Sequence, residues 1–415
     1  MIRRIEALRY RCLRNLQRDV APFQILVGPN ASGKTTFLDA ARFLGQLASG
    51  GLEAAVRERT ENLRDLFWQQ EGNRFELAVE MAIPEERQRL LQQPDYHTCR
   101  YEVAIGIDRT TEENAILAER VLLMSRMPEA SVQKELFPDL PTPPNSILTR
   151  VPSRGAKTVV NKVRGGNDNF YDETGKGWDH AFKLGPRKSA LANLPEDESK
   201  FPVSTWLKGV LNEGIETLVL NSAIMRKPSP PGQPKGFRPD GSNLPWTIDN
   251  LSRKSGRAFD RWIAHVRTAL PDLKTIETVE RPEDKHRYLQ VVYKTGLKVP
   301  SWTVSDGTMR LLALTLLAYI GEPGHIYLIE EPENGIHPRA VETVFQSLSS
   351  AYESQVLCAT HSPVMLSLAN PDQILCFARS PEGATDVVRG DEHPNLREWK
   401  RGTDLGTLFA TGVLG

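Results

Sequence analysis

A glycine-rich segment near the start of the chain has the residue types and spacing of a phosphate-binding loop. Gly28–Thr35 reads GPNASGKT and follows an apolar stretch, Phe23–Val27, that predicts a strand. Glycines let consecutive backbone N–H groups curve around phosphates, and the helix predicted after the loop adds the positive end of its dipole. The Lys34 ammonium can reach the β- and γ-phosphates of a nucleoside triphosphate, and the Thr35 hydroxyl can ligate Mg²⁺. The predicted nucleotide-binding residues are Gly28, Asn30, Ser32, Gly33, Lys34, Thr35 and Thr36.

Two adjacent carboxylates end a second apolar stretch. His325–Pro332 reads HIYLIEEP, which predicts a buried strand whose acids emerge at its carboxyl end. The carboxyl ends of parallel strands form the ligand-binding edge of an α/β sheet. Glu330 is placed to hold Mg²⁺, directly or through water, and Glu331 to orient and deprotonate an attacking water. An apolar strand followed by two acids is common by itself, so this assignment depends on the glycine-rich loop.

Three further segments carry polar residues suited to a nucleotide site but are weak signals individually. Ser305–Arg310 reads SDGTMR, Glu333–Pro338 reads ENGIHP, and Cys358–Pro363 reads CATHSP. Turn and helix-capping chemistry explains each of them adequately when it is considered alone. Their order along the chain, together with the loop and the paired acids, makes them candidate site segments.

Strands and helices must position these segments. Hydrophobic patterns predict such strands and helices in two α/β portions of the chain. The predicted strands are Phe75–Ile83, Tyr101–Ile107, Tyr288–Val292, Ile326–Ile329, Gln355–Ala359 and Gln373–Ala378, and the predicted helices are Thr36–Leu44, Met309–Ile320 and Ala340–Tyr352.

The middle of the chain has a different composition. Residues 138–245 contain about half of the 29 prolines, together with glycine-rich pieces. This composition favours loops or a separate lobe over continuation of a sheet. Helices are nevertheless predicted at Phe201–Ile224 and Ile248–Leu270. We therefore predict a discontinuous head formed by residues 1–127 and 286–415, with residues 128–285 as an inserted lobe.

Length, charge and cysteine content limit the class of protein. The chain has 415 residues, more than a single hydrophobic core usually holds. Lys and Arg balance Asp and Glu at 52 each, so no net charge indicates nucleic acid or an anionic membrane. The sequence shows no apolar run long enough to span a bilayer and no secretory signal. It also contains no CxxC pair, and Cys358 and Cys376 are predicted to be buried. We expect a reduced, cytoplasmic protein that does not enter a membrane.

The order of the motifs resembles that of ABC-type ATPase heads: P-loop, signature, Walker B with a following glutamate, D-loop and H-loop. More narrowly, SDGTxR, IEEPENGIHP and THSP resemble stand-alone ABC-type AAA ATPases related to the OLD (overcoming lysogenization defect) proteins and to RecF- and SMC-type heads. Arg238–Leu251 also resembles a segment of that family, and the resemblance covers about residues 1–110 and 236–380. It implies an α/β P-loop NTPase of the ABC-ATPase head type: a mixed sheet with flanking helices and a proline-rich, partly helical insertion.

The resemblance also implies how the site works. In the family, ATP lies between two heads, and each head lends its signature to the P-loop of the other. Ser305 and Gly307 are therefore expected to contact the γ-phosphate in trans, and His361 to sense it in cis. Asn334 and His337 are expected in the D-loop. The implied catalytic residues are Glu331, His361 and Lys34, and the implied Mg²⁺ ligands are Thr35 and Glu330.

The implied cycle is ATP-driven dimerisation, hydrolysis with Glu331 as the base, and separation of the heads. Proteins of this kind are often paired with an effector and serve in bacterial antiviral defence. The resemblance thus implies a homodimer or higher homo-oligomer, a separate nuclease or toxin as partner, and DNA as a further candidate partner. The alternative is a scaffold that binds ATP to assemble with an effector without needing hydrolysis.

The sequence departs from the ABC pattern at several points. Glu330 stands where many P-loop enzymes have Asp, and SDGT replaces LSGGQ, which argues against a transporter subunit. Gln69 and Gln70 are Q-loop candidates, although a solvated loop is the preferred interpretation. No heptad pattern predicts a coiled-coil arm. We expect no TOPRIM nuclease after His361. Asp386, Asp391 and Glu392 in that stretch are interpreted as solvated and outside any strand.

Arginines are concentrated at the start of the chain. Nucleic-acid-binding surfaces have such clusters, but so do solvated strand faces, and the zero net charge favours the second interpretation. The arginines concerned are Arg3, Arg4, Arg9, Arg11, Arg14 and Arg18.

Overall fold

The structure is a computed structural model that describes residues 1–125, 143–150, 155–175, 177, 179–234, 236–321 and 323–393. Its strands are β1 (Ile2–Tyr10), β2 (Leu13–Asp19), β3 (Phe23–Val27), β4 (Arg74–Ala82), β5 (Thr98–Ile107), β6 (Asn114–Met124), β7 (Ala156–Val163), β8 (Asp168–Phe170), β9 (His180–Phe182), β10 (Ile215–Leu218), β11 (Leu273–Glu280), β12 (Arg287–Tyr293), β13 (Lys298–Pro300), β14 (Ile326–Glu330), β15 (Gln355–Ala359), β16 (Ile374–Arg379) and β17 (Thr385–Arg389). Its α-helices are α1 (Lys34–Arg57), α2 (Glu85–Gln88), α3 (Pro202–Gly209), α4 (Ser222–Met225), α5 (Leu244–Lys254), α6 (Gly256–Ala269), α7 (Asp306–Ile320), α8 (Pro338–Ser349) and α9 (Pro363–Leu368).

Two compact units share these elements. The first comprises Met1–Ala21, Asn30–Ile215 and Ala378–Val387, and the second comprises Pro22–Pro29, Glu216–Phe377 and the residues from Val388 on. The chain therefore passes between the units within the glycine-rich loop, directly after Pro29.

An antiparallel sheet dominates the first unit. Its eight strands follow the order β2-β1-β4-β5-β6-β7-β8-β9, and all neighbours are antiparallel. Helix α1 packs on this sheet, where the rings of Tyr10, Phe43 and Phe75 lie with centroids 4.9–5.9 Å apart. The Tyr10 hydroxyl also donates to Asp39 Oδ2 at 2.6 Å. These contacts fix the helix that follows the glycine-rich loop.

Charged side chains are buried inside the same sheet. The guanidinium of Arg100, with 4 % of its side chain exposed, donates to Glu6, Glu80 and Glu102 at 2.8 Å each. Buried charges are tolerated when they are paired and hydrogen-bonded, and removing one partner leaves an uncompensated charge that is strongly destabilising. Arg100 therefore ties together strands β1, β4 and β5.

A largely parallel sheet dominates the second unit. The six strands follow the order β10-β14-β15-β3-β16-β17, and β14, β15, β3 and β16 run parallel. The continuous burial of β3 and β15 is typical of central parallel strands covered on both faces. Helices α6, α7 and α8 pack together, with Trp262 Nε1 donating to Thr315 Oγ1 at 3.0 Å in their core. Strands β11, β12 and β13 form a separate antiparallel sheet.

The predicted fold class is confirmed, because the chain is mixed α/β and β3 leads into α1 across the glycine-rich loop. The predicted strands correspond to β4, β5, β12, β14, β15 and β16, and helices α7 and α8 lie where helices were expected. Cys358 and Cys376 are buried as predicted, and burial raises the pKa of the Cys376 thiol to about 12. None of the described helices is long and apolar enough to cross a membrane. The domain boundaries after residues 127 and 285 stay predictions.

Several predictions for the middle and the end of the chain are wrong. Strands β7, β8 and β9 continue the antiparallel sheet, because the prolines of this stretch lie outside these short strands. The helical stretch predicted at Phe201–Ile224 is helical only in part: α3 continues as a π-helix over Val210–Gly214, and strand β10 then separates it from α4. The helix predicted at Ile248–Leu270 is divided at Ser255, whose hydroxyl accepts from the Ala258 N–H at 3.3 Å and caps α6. Asp386 lies within β17, contrary to the expectation that it belongs to no strand.

Candidate nucleotide-binding site

The glycine-rich loop has a backbone that repeatedly enters the left-handed region. Gly28, Ala31 and Gly33 have φ angles of 152°, 62° and 106°. Alternation between left- and right-handed residues produces concave runs of backbone N–H groups that bind anions. A Cβ atom at Gly28 would lie 2.2 Å from the carbonyl oxygen of Phe377, so no side chain fits there. The conformation thus depends on glycine.

The side chains at the end of the loop suit an anion and its metal. Gly33 is the N-cap of α1 and has no side chain that could cap the first helical turn, where the positive end of the helix dipole lies. Ser32 is 1 % exposed, and its hydroxyl has no hydrogen-bond partner in the described part of the chain. Leaving a buried hydroxyl unpaired costs about 1–3 kcal/mol, so a ligand oxygen is a suitable partner. Asn30 and Thr35 are exposed, whereas Lys34 and Thr36 are buried. These residues fit a nucleoside triphosphate with Mg²⁺.

Thr385 supports this loop from the far end of the sequence. Its hydroxyl donates to the Ser32 carbonyl oxygen at 2.9 Å, and its N–H donates to the Cys12 carbonyl oxygen at 3.0 Å. A Cβ atom at Gly33 would lie 2.2 Å from Thr385 Oγ1. Glycine is therefore needed at Gly33 for two reasons: the φ angle is unfavourable for other residues, and the Thr385 side chain lies too close for a Cβ atom. No sequence motif indicates this function of Thr385.

Parallel pairing aligns the carboxyl ends of three neighbouring strands. Glu330 in β14 is in register with Ala359 in β15, and Ala359 is in register with Leu26 in β3. The paired acids, the segment with His361 and the start of the glycine-rich loop consequently leave the same edge of the sheet. This is the edge at which open α/β sheets bind ligands.

The second of the paired acids has an unusual backbone conformation. Glu331 has a φ angle of 48°, in the left-handed region that non-glycine residues rarely adopt. Its N–H donates to the Ala359 carbonyl oxygen at 2.8 Å, which holds the turn in place. Glu330 and Glu331 are both exposed at the end of an otherwise buried strand. Strained residues of this kind cluster at functional sites.

Glu333 connects the ends of β14 and β15. Its Oε1 accepts from the Thr360 hydroxyl at 2.6 Å and from the His361 N–H at 3.3 Å. The Thr360 N–H donates to the Leu26 carbonyl oxygen at 3.1 Å, which extends the connection to β3. Glu333 Oε2 is buried and has no hydrogen-bond partner among the described residues. The sequence placed Glu333 in a candidate segment but did not identify this function.

The signature segment, Ser305–Arg310, begins helix α7. The Ser305 hydroxyl accepts from the Thr308 N–H at 3.3 Å as the N-cap of the helix, and it donates to Thr308 Oγ1 at 2.9 Å. Arg226 braces the segment through an ion pair of 2.9 Å with Asp306 and a 2.7 Å hydrogen bond to the Val304 carbonyl oxygen. Ser305 and Asp306 remain exposed.

The signature segment touches the segment after the acids. A Cβ atom at Gly307 would lie 2.4 Å from the Gly335 carbonyl oxygen. Asn334 is exposed beside that contact, and His337 is the N-cap of α8, with Nδ1 accepting from the Arg339 N–H at 3.2 Å. The structure thus brings Gly307 close to the predicted D-loop within one chain.

The Q-loop candidates lie in the first unit between α1 and β4. Gln69 and Gln70 have φ angles of 51° and 58°. Gln69 Nε2 donates to the Glu382 carbonyl oxygen, and Gln70 Nε2 donates to Asp65 Oδ1, at 3.3 Å each. Both side chains are exposed, and their assignment to a Q-loop stays a prediction.

The arginines at the start of the chain do not form one solvated face. Arg4 is buried, and its Nε donates to Asp19 Oδ1 at 2.6 Å. The expectation of a solvated strand face is therefore wrong for Arg4, because this residue faces the carboxylates buried in the sheet. Arg18 donates to the Val387 carbonyl oxygen.

Comparison with known families identifies the class of protein. The sequence matches the family described as "AAA domain, putative AbiEii toxin, Type IV TA system" over residues 23–96 and 163–367. These residues make up more than half of the chain, which therefore belongs to this family of AAA ATPase domains. The matched ranges include the glycine-rich loop, the signature segment, the paired acids and His361.

Two solved structures of SMC heads resemble the structure across nearly the whole chain. The SMC head bound to the C-terminal winged-helix domain of ScpA has a TM-score of 0.54 at 14 % identity, covering 93 % of this chain and 96 % of that one. The Pyrococcus furiosus SMC head with an extended coiled coil, bound to the C-terminal domain of ScpA, has a TM-score of 0.52 at 14 % identity, with coverage of 93 % and 95 %. This likeness shows the fold, that of an ABC-type ATPase head. No curated protein matches the sequence.

Proposed function

We propose that this protein is a Mg²⁺-dependent ATPase that dimerises around ATP and acts as a molecular switch on DNA or on a partner effector, a nuclease or toxin. The observation that carries the proposal is the shared edge of three adjacent parallel strands: β3 leads to the glycine-rich loop, β14 ends in the paired acids, and β15 leads to His361. Membership of the AAA domain family and the SMC-head fold support ATP as the substrate.

The side chains divide the proposed chemistry among them. The Lys34 ammonium binds the β- and γ-phosphates, and Thr35 and Glu330 hold Mg²⁺. The metal, when bound, neutralises charge on the phosphate oxygens. Glu331 orients the attacking water and accepts its proton, as the bond between the γ-phosphorus and the bridging oxygen breaks. His361 donates a hydrogen bond to the γ-phosphate and so distinguishes ATP from ADP.

The exposed position of the signature segment supports the proposed dimerisation. Ser305 and Asn334 are exposed in the single chain, and the tight contact of Gly307 with Gly335 makes the two segments one rigid patch. We propose that this patch completes the nucleotide site of a second copy, with Ser305 and Gly307 contacting the γ-phosphate in trans. ATP binding then joins the heads, and hydrolysis releases them.

The proposal also covers the partner and the cellular role. The family description refers to a toxin of a type IV toxin–antitoxin system, and both SMC heads are bound to a ScpA domain, which together support a protein partner. We propose an effector encoded separately, a role in bacterial antiviral defence in the cytoplasm, and a relation to the OLD proteins. In the scaffold alternative, the proline-rich residues 128–285 are the proposed recognition region.

The test combines turnover with molecular mass. The purified protein should hydrolyse ATP with Mg²⁺, and Lys34→Ala should lose nucleotide binding while Lys254→Ala, a change at an exposed lysine of α5, should not. Glu331→Gln should bind ATP, lose turnover by about 10²-fold or more, and show an ATP-dependent rise in mass by light scattering. Absence of ATP binding by the unchanged protein would refute the proposal.

The scaffold alternative predicts a different result for the same variants. Partner co-purification should then be unaffected by Glu331→Gln, and the mass should be the same with and without ATP. If Glu331→Gln instead hydrolysed ATP at the wild-type rate, Glu331 would not be the catalytic base. Glu283→Gln, at an exposed glutamate distant in sequence from the motifs, is the matched control.

A further inference from the structure

A cleft in the first unit is lined by arginines from four separate parts of the chain. Arg9, Arg74, Arg109 and Arg164 surround a space of about 530 Å³ at one end of the antiparallel sheet. No carboxylate is among its described lining residues. None of these arginines belongs to the nucleotide-binding motifs, and the cleft lies within one unit.

Two of the four arginines are held in position by carboxylates behind them. Arg164 makes a bidentate pair with Asp108, with both N–O distances at 2.7 Å, and donates to Thr110 Oγ1 at 2.8 Å. Arg74 lies 2.9 Å from the buried Glu76. Fixed guanidinium groups lose less conformational entropy when they bind a ligand than mobile ones do. Arg164 and Arg74 are thus preorganised, and Asp108 and Glu76 compensate two of the four positive charges.

The other two arginines leave the cleft with an excess of positive charge. The side chains of Arg9 and Arg109 make no hydrogen bond or ion pair with any residue that the structure describes. Two unit charges at 4 Å repel by about 1 kcal/mol in water and by more near a protein surface. The cleft therefore has four guanidinium groups but only two carboxylates that compensate them. This excess of positive charge favours an anionic ligand. The planar guanidinium fork matches phosphate oxygens in particular.

An adjoining cleft extends the same surface. It measures about 620 Å³, shares Arg9 and Asn145 with the first cleft, and includes the partly exposed Trp68. An aromatic ring beside a basic groove can stack on a nucleobase. Glu71 and Glu382 also line this second cleft, so its charge is balanced and the excess lies around Arg9 and Arg109.

We propose that this arginine cleft binds the phosphate groups of a second ligand, supplied either by a nucleic-acid backbone or by a free polyphosphate. The volume lies in the range of ordinary ligand sites, about 300–1,000 Å³. The four arginines bind the phosphate oxygens, and Trp68 is positioned for a base where the ligand is a nucleic acid.

The experiment is done in a Lys34→Ala background, so that the glycine-rich loop does not contribute phosphate binding and ATP turnover is not needed. A labelled single-stranded oligonucleotide of about 20 nucleotides is titrated by fluorescence anisotropy over a salt series, and tripolyphosphate by calorimetry. The test variant is Arg9→Gln with Arg109→Gln. The control is Arg257→Gln, a change at an exposed arginine of α6 in the second unit.

The double substitution should lower the affinity for one of the two ligands about tenfold or more. If both arginines contact phosphates of the oligonucleotide, the slope of log affinity against log salt concentration should decrease in magnitude by about 1.4. Loss of oligonucleotide binding identifies a nucleic acid, and loss of tripolyphosphate binding alone identifies a free polyphosphate. Unchanged affinities for both ligands, or equal loss in Arg257→Gln, would overturn the proposal. Because Arg9, Arg109 and Arg257 are not buried, the melting temperatures of these variants should agree with that of the Lys34→Ala parent.

Discussion

The Thr360 hydroxyl donates a 2.6 Å hydrogen bond to Glu333 Oε1. This bond joins the segment that follows β15 to the segment that follows β14, and the neighbouring His361 N–H donates to the same oxygen at 3.3 Å. In the opposite direction, from the segment after β14 to the end of β15, the Glu331 N–H donates a hydrogen bond to the Ala359 carbonyl oxygen at 2.8 Å. The proposed base and the proposed γ-phosphate sensor are therefore positioned by one small network.

Removing the carboxylate of Glu333 should impair turnover more than ATP binding. In Glu333→Ala, Thr360 and His361 lose their acceptor, and a shift of about 1 Å in a catalytic group can cost about 10²-fold in rate. We expect kcat to fall about 10- to 100-fold, with KM for ATP changed less than about threefold. Glu333→Gln keeps an acceptor oxygen and should recover most of the rate. Equal kcat in all three proteins would show that Glu333 does not position the site.

The motifs were predictable because their signal is local. Gly28–Thr35 has fixed spacing between an apolar strand and a helix, and β14 has a continuous apolar run before its acids. Thr385 and Glu333 were not identified as supports, because their partners Ser32 and Thr360 are 353 and 27 positions away. Periodicity carries no information on such pairs.

The extent of the antiparallel sheet was missed for a related reason. Strands β8 and β9 have only three residues each, too short for an alternating pattern to appear. Pairing of β8 with β7, and of β9 with β8, supplies their hydrogen bonds, and such tertiary pairing overrides the proline- and glycine-rich composition around them.

Two substitutions at Ser305 should separate its capping role from its proposed role in the dimer. Ser305→Ala removes the N-cap of α7, which should cost about 1 kcal/mol of unfolding free energy. Ser305→Asp keeps a good N-cap residue but places a negative charge where the γ-phosphate of the second copy is proposed to lie. We expect near-wild-type stability by urea denaturation and loss of ATP-dependent dimerisation in Ser305→Asp, measured by light scattering in the Glu331→Gln background. An intact dimer would count against the trans contact.

Gly307→Ala should destabilise the protein through a backbone clash. The added Cβ would lie 2.4 Å from the Gly335 carbonyl oxygen, a contact that requires the backbone to move. Overpacking of this kind typically costs about 1–3 kcal/mol. Gly256→Ala, in the first turn of α6 with nothing within 4 Å of the new Cβ, is the control and should be neutral or stabilising. Equal unfolding free energies for the two variants would mean that the segments are not packed as described.

Glu119 should give the stability of the protein a measurable pH dependence. It is buried in β6 and accepts from the Tyr101 hydroxyl at 2.9 Å, the Ser189 hydroxyl at 2.6 Å, and the N–H groups of Ala190 and Leu191 at 2.6 and 3.0 Å. Burial raises the pKa of Glu119 above its ordinary value of 4.5, and these hydrogen bonds oppose the shift only in part. A raised folded-state pKa means that the folded chain holds this proton more tightly than the unfolded chain does.

The stability due to that proton is therefore fully present below pH 4.5 and is lost as pH rises through the pKa of the folded state. Glu119→Gln cannot titrate, so it should lack this loss, although its amide nitrogen replaces one acceptor and lowers stability at every pH. The unfolding free energy of the variant, measured in urea relative to wild type, should rise between about pH 4 and pH 8. The exposed Glu61→Gln should show no such trend, and a flat or falling difference for Glu119→Gln would contradict the raised pKa.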